Sequence, residues 1–276
     1  MLFRSGILKN EFHLLTVDAF KTHLRSGEKF PDRSVLITFD DGYADNHEFA
    51  VPLLESNQAQ ALFYICTGNL GSAREFWWDE LENLLLCTSD FPPALLMEIN
   101  RKNYSCSDDI NSRKKLYNEL LPVLRRMDFV TRENNFNVIR SFFPGALRRA
   151  GHRSVTEDEL GSMARSPSVV LGAHTVNHCS LAALKSDEQK IEIQKSVLAI
   201  EKITHVKVTD FSFPFGTDRD FDDTTLEICR ELGMEFVAAN IPGCVHAKSN
   251  AYAFHRFLVR DWDVPEFRKN MQSFFK

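Results

Sequence analysis

The sequence has little of what a small cross-linked scaffold, a nucleic-acid binder or a membrane protein depends on. Its 276 residues include 6 cysteines, at 66, 87, 106, 179, 229 and 244, with no Cys-x-x-Cys pair among them. That spacing excludes a zinc ribbon and offers no disulfide framework, so the cysteines read as small apolar residues. Positive charge is also short: 33 Lys and Arg stand against 38 Asp and Glu, for a formal net charge of -5 and a pI near 6.0. Nucleic acids and anionic membranes need a basic face, so neither is expected as a partner. No apolar run approaches the roughly 20 residues of a membrane-spanning helix. After Met1, Leu2-Phe3-Arg4-Ser5-Gly6 lacks the basic start and apolar stretch of a secretory signal. The expectation is a cytoplasmic chain by default, and an extracytoplasmic one if the N-terminus is incomplete. Repeats and low-complexity tracts are missing as well, and nothing specifies an oligomeric state.

What is present suits one ordinary core: 43% hydrophobic and 26% charged residues. Short apolar runs recur at Val35–Phe39, Ala61–Ile65, Val169–Ala173, Asp210–Phe213, Glu235–Ala239 and Phe257–Val259. They are β-branched or aromatic and do not alternate, as expected of strands covered on both faces. Helical patterns lie between them. Ser186 with Gln189 and Thr156 with Glu159 read as capping boxes, and Gly233 ends a helix running from Asp222 to Leu232. Strand alternating with helix predicts a parallel sheet closed into an irregular (β/α) barrel, a single catalytic domain over residues 1–276. Residues 76–155 break the rhythm and read as a wholly helical insertion.

Two motifs carry the chemistry. Thr38-Phe39-Asp40-Asp41-Gly42-Tyr43 ends the first clear run, and two adjacent carboxylates there need their charge balanced, most cheaply by a cation, unless they belong to a polar loop capping the following helix. One can ligate the cation while the other stays free to take a proton. His174-Thr175-Val176-Asn177-His178 follows Ala173, and imidazoles four residues apart reach one ion if the segment turns helically. In a parallel barrel both motifs face the same rim, and one carboxylate with two imidazoles leaves positions open for water and substrate.

Thr38–Tyr43, His174–His178 and Phe213-Pro214-Phe215-Gly216 together resemble the three motifs of the polysaccharide deacetylase (NodB-homology, carbohydrate esterase family four) family, in order and spacing. The resemblance implies an acetyl-removing hydrolase acting on an acetylated carbohydrate. It implies Asp40 as general base, with Asp41, His174 and His178 holding a divalent metal. Zinc is the usual ion, although the donor set also suits cobalt, nickel or iron. By the same resemblance the amide of Tyr43 assists the oxyanion, and Pro214 and Phe215 form a groove wall. Three departures stand out. Ser212 occupies the place where many members carry an arginine that orients the base, and Arg256 is the expected substitute, paired with Asp40. His255 is the nearest candidate for the acid that protonates the leaving amine. No Met-Tyr-His strand precedes Phe12–Thr16. In the insertion, Trp77 is the expected groove-lining aromatic, with Phe76 and Trp78 in the helix core. Two other readings stay open: a glycan-binding or scaffold protein that kept the fold and lost the chemistry, and a deacetylase of a small, non-polymeric substrate.

Overall fold

A computed structural model describes residues 2–275. After a helix over Leu2–Glu11, two short strands, β1 (His13–Leu14) and β2 (Ser34–Val35), pair in parallel. The helix between them, Val17–Ser26, starts where Thr16 Oγ1 accepts from the amide of Ala19, and ends at Gly27. Phe12–Leu24 thus supplies a short strand and then a helix.

The main sheet is built from β3 (Ile37–Phe39) and β4 (Ala61–Ile65), then, beyond the insertion and its strands β5 (Ala94–Ile99) and β6 (Lys102–Ser107), from β7 (Val169–Ala173), β8 (Asp210–Ser212) and β9 (Phe236–Ala238). Its order is β3-β4-β7-β8-β9, every pair parallel. All five residues of β4 are buried, which is why that strand reads as an unbroken apolar run. The expected barrel is realised as an open half-barrel. Between its edge strands β3 and β9 lies a cavity of about 1010 Å³, bordered by Phe39, Leu62, Phe236 and Phe254. Phe63, Ile65, Leu171, Phe211, Phe213 and Val237 join Ile193 and Ile200 of the Ser186–Thr204 helix in the main core. Among the described residues no helix is long and apolar enough to cross a bilayer.

Four expectations need correction. The Val35–Phe39 run divides at Leu36 between β2 and β3. Phe257–Val259 forms no strand: the chain pairs with β9 earlier, through an Ala238–Phe254 bridge. There Phe254 stacks on Phe236, whereas Phe257 stacks on Phe274 of the C-terminal segment, and Leu258 and Val259 stay exposed. The Ser186–Thr204 helix opens one residue early, with Glu188 rather than Gln189 reaching back to the amide of Lys185. Finally, the insertion is not wholly helical, because β5 and β6 form an antiparallel hairpin. Leu95, Met97 and Ile99 point inward in alternation, but Leu96, 70% exposed on the outer face, hides that period in the sequence.

The insertion packs around its own apolar centre, including Trp77, Leu81, Leu85, Leu120, Leu124 and Phe136. Its ends meet in a Glu75–Arg153 bridge. Buried Glu75 accepts from Arg149 Nη2 at 2.9 Å, and Arg149 Nη1 also reaches Glu82. Directly after this neck, the expected Thr156–Glu159 capping box is formed, and Arg153 holds both Glu159 oxygens at 2.7 and 2.8 Å. Hydrogen bonds from Arg153 hold the Glu159 carboxyl down at about 2. A depressed carboxyl stabilises the fold above its ordinary value of 4.5, and that contribution is lost as pH falls through about 2. Glu159→Gln keeps an oxygen for the Thr156 amide but loses the charge paired with Arg153, and is therefore expected to cost up to about 1 kcal/mol at neutral pH. Melting temperatures measured along a pH series should converge with the parent's between those two values.

Candidate metal centre

The loops leaving β3, β7 and β8 emerge on one edge of the sheet, because parallel strands present their C-terminal ends together. Each loop turns through left-handed backbone: Asp41 (φ 73°) and Gly42 (83°), Thr175 (65°) and His178 (50°), Phe215 (60°) and Gly216 (65°). At Gly42 a Cβ would also lie 3.1 Å from Ile65 Cδ1, so the left-handed conformation favours glycine and the space beside it is tight. The His-x-x-x-His segment is not the helical turn expected of it. Left-handed Thr175 folds it back, and the Thr175 hydroxyl accepts from the amide of His178 at 3.0 Å.

This turn brings His174 Nε2 to 3.4 Å and His178 Nε2 to 3.2 Å from Asp41 Oδ1. One ligand atom from each residue lies within 4.8 Å of the others. His174 Nδ1 lies 2.7 Å from the carbonyl of Ser212, where it donates its proton and leaves the Nε2 lone pair facing Asp41. Asp41 Oδ1 is buried and has no hydrogen-bond donor. A bare carboxylate oxygen facing imidazole lone pairs is a repulsive arrangement unless a cation sits between them. The donor set therefore fits a divalent metal, with Asp41, His174 and His178 as the residues that would hold it.

Asp40 stands beside this group and outside it. Arg256 grips both its oxygens, Nη1 to Oδ1 at 2.8 Å and Nη2 to Oδ2 at 2.9 Å. Nη2 also donates to Ser212 Oγ at 2.9 Å. The serine that replaces the family's usual arginine thus leaves room for a guanidinium arriving from elsewhere in the chain. Burial alone would raise the Asp40 carboxyl, but Arg256 reverses this and holds it below its ordinary value.

The flanking residues fall differently from expectation. Trp77 is buried in the insertion core against Phe136 and Phe215 and lines no groove, because the helix starts at Trp77 and turns Trp77 and Leu81 inward. Trp78 instead has its ring 4.4 Å from that of His178, and its Nε1 donates to the Tyr43 hydroxyl, which in turn donates to Asp79. Phe215 flanks His178 from another side, ring centroids 4.6 Å apart, while Pro214 is buried behind it. Tyr43 faces Ser154 as a non-hydrogen-bonded pair, with Ala44 and Val155 making the flanking bonds, so its own amide is directed away from residue 154. His255 does not join the cluster. The extended segment carries Phe254 and Arg256 on one side, leaving His255 exposed on the other with its ring against Gly243. Sequence reasoning also missed Glu192, although the inward stripe of its helix (Gln189, Glu192, Ser196) is unusually polar.

The sequence model of the family described as polysaccharide deacetylase matches residues 27–237. The chain belongs to this family. A relative, YxkH of Bacillus subtilis (strain 168), is provisionally named a polysaccharide deacetylase and is 19% identical over 250 residues. The match covers 91% of this chain and 60% of the relative, so the chain spans about 60% of the length of that protein. Among solved structures, the Streptococcus pyogenes deacetylase PplD in complex with acetate superposes with a TM-score of 0.61 at 17% identity, covering 98% of this chain and 85% of that one. The deacetylase domain of BpsB from Bordetella bronchiseptica gives a TM-score of 0.57 at 16% identity, covering 92% and 82%. At these identities the likeness is one of fold, and it supports the (β/α)-barrel architecture.

If the three donors bind a metal, saturating zinc stabilises the native state. At a hundredfold excess over Kd the gain is about 2.7 kcal/mol, several degrees in Tm. Calorimetry should show that rise for the parent and little of it for Asp41→Asn.

Proposed function

We propose that the chain is a metal-dependent hydrolase that removes acetyl groups from N-acetylated sugars of a carbohydrate. The observation that carries this reading is a carboxylate, Asp40, clamped in place by Arg256 immediately beside a three-donor metal cluster and free of it. A closed structural site would have no use for such a group.

A divalent cation, when bound, supplies a Lewis acid that polarises the acetyl carbonyl and acidifies the attacking water. Asp40 takes the proton from that water. Arg256 keeps the carboxylate ionised near neutral pH and fixes the plane of its two oxygens. The amide of Tyr43 is the donor proposed for the oxyanion that develops on the acyl carbonyl. Asp40 then returns the proton to the leaving nitrogen, since His255 faces another way. Trp78 and Phe215, the two rings against His178, offer flat apolar faces to a sugar ring and limit water around the reacting bond.

Acetate release from N-acetylglucosamine oligomers tests the proposal. A chelator is expected to abolish it, zinc or cobalt to restore it, and Asp40→Asn to lower kcat by about 10²- to 10⁴-fold. If metal-loaded chain frees no acetate from any acetylated sugar, the hydrolase reading fails. Arg256 makes a second test through pH. Activity falls on the acid side as Asp40 gains its proton, and Arg256 holds that event to low pH. In Arg256→Ala the carboxyl rises, so the acid limb of the kcat profile should move to higher pH.

A further inference from the structure

Two charged side chains that the proposed chemistry does not use grip the backbone between the imidazoles. Glu192, from the Ser186–Thr204 helix and 8% exposed, accepts through Oε2 from the amides of Val176 (3.0 Å) and Asn177 (2.8 Å). Its Oε1 accepts from the side-chain amide of Asn177 at 2.7 Å. On the other side Arg132, from the insertion helix Phe129–Ser141 and 2% exposed, donates Nη2 to the carbonyl of Asn177 at 2.5 Å. An anion thus holds the amides and a cation the carbonyl of one short stretch. The ring of Trp77 lies under the guanidinium, 5.2 Å away, and fixes where it can reach.

The backbone at this point would not hold its shape unaided. Thr175 and His178 both sit in the left-handed region, which a β-branched residue such as Thr175 resists. Relaxing either residue would swing its neighbouring imidazole away from Asp41. A buried carboxylate satisfied only by peptide and amide donors is itself costly, and among the described residues Glu192 forms no ion pair with Lys or Arg. Its three acceptor contacts all end on residues 176 and 177, midway between the two imidazoles.

We propose that Glu192 and Arg132 are positioning residues for the metal ligands. They lock the 176–177 backbone so that His174 and His178 aim Nε2 at Asp41 before any ion arrives. This rests on the metal reading above, and it makes the insertion, through Arg132, part of the metal site's support. Groups of this kind tune affinity rather than bind the ion, and their loss in other metal sites weakens binding 10- to 100-fold.

Zinc affinity, measured by competition with a chromophoric chelator, tests the proposal on parent, Glu192→Ala, Glu192→Gln and Arg132→Met, with the melting temperature of each metal-free chain recorded alongside. Glu192→Ala is expected to bind zinc about 10- to 100-fold more weakly. Glu192→Gln should stay within about threefold of the parent, because its single carbonyl oxygen still accepts from both backbone amides while the Asn177 amide turns to meet the new NH₂. A purely structural Glu192 would lower the metal-free melting temperature and leave zinc affinity alone, and that result overturns the proposal. So does a Gln variant as weak as the Ala variant, since charge rather than held geometry would then matter. Should Glu192→Ala not fold, Arg132→Met decides: it releases the Asn177 carbonyl, weaker zinc binding is expected, and binding equal to the parent's overturns the clamp. A parent chain that binds no zinc overturns the metal reading first, before any variant is compared.

Discussion

Arg256 spans the gap that the strands leave open. Its Nε donates to the carbonyl of Ala239, just beyond β9, and its Nη1 to the hydroxyl of Thr38 on β3, the two edges of the sheet. The same guanidinium then ends on Asp40. A fully closed barrel would join these edges through a ladder of backbone bonds. Here one planar, five-donor side chain performs both the closure and the fixing of the carboxylate. The consequence is a coupling between architecture and chemistry: whatever separates the edges also releases Asp40. A lysine could hold the charge but not the geometry, since one ammonium cannot reach a carbonyl, a hydroxyl and two carboxylate oxygens in a single plane.

The site loops share a second constraint. Nine non-glycine residues among those described have positive φ, and four of them, Asp41, Thr175, His178 and Phe215, lie in the three loops of the cluster. Thr175 and Phe215, β-branched and bulky, each carry roughly 1–2 kcal/mol of strain there, whereas Asp41 and His178 are residue types that enter this region more readily. This strain persists because the surroundings over-determine it. Glu192 and Arg132 hold the second loop, and Asp220 holds the third, through the backbone amide and hydroxyl of Thr217, the hydroxyl of Ser180 and the guanidinium of Arg125. Hydrogen bonds involving charged groups contribute roughly 1.5–3 kcal/mol each, enough to offset the strain they oppose. The clamps are buried and the ligands face outward from them, which is the arrangement a preorganised site requires.

Much of this was readable in the sequence where side chains report directly on their own surroundings. Ala61–Ile65 and Val169–Ala173 read as buried strands because a strand covered on both faces has no polar positions to confuse the pattern. That Asp41, His174 and His178 lie together was readable because parallel strands bring their C-terminal ends to one rim, although either motif alone has a bland explanation. The failures were failures of phase and of distant pairing. Trp77 and Trp78 exchanged places because a helix rotates about 100° per residue, so a start shifted by one residue turns the wrong ring inward. His255 and Arg256 are likewise adjacent, and extended backbone sends them to opposite sides. Arg256 meeting Asp40 across 216 residues could be expected only through the resemblance. The hairpin β5–β6 was hidden by a single exposed leucine.

The insertion read at first as an interruption of the barrel, yet the cluster leans on it from two directions. Arg132 holds Asn177, and Arg125 lies 4.0 Å over the Phe215 ring while pairing with Asp220. Trp78, at its beginning, completes the aromatic surround of His178. Removing residues 76–155 would therefore not leave an uncovered but intact site. It would strip a guanidinium from each of two loops and leave Phe215 without the apolar neighbours that pack behind it. Barrel loops tolerate insertions when they only add surface. This one is bound into the site by buried charge, so the barrel supplies the three candidate metal donors and the insertion supplies part of the stiffness of the loop that carries two of them.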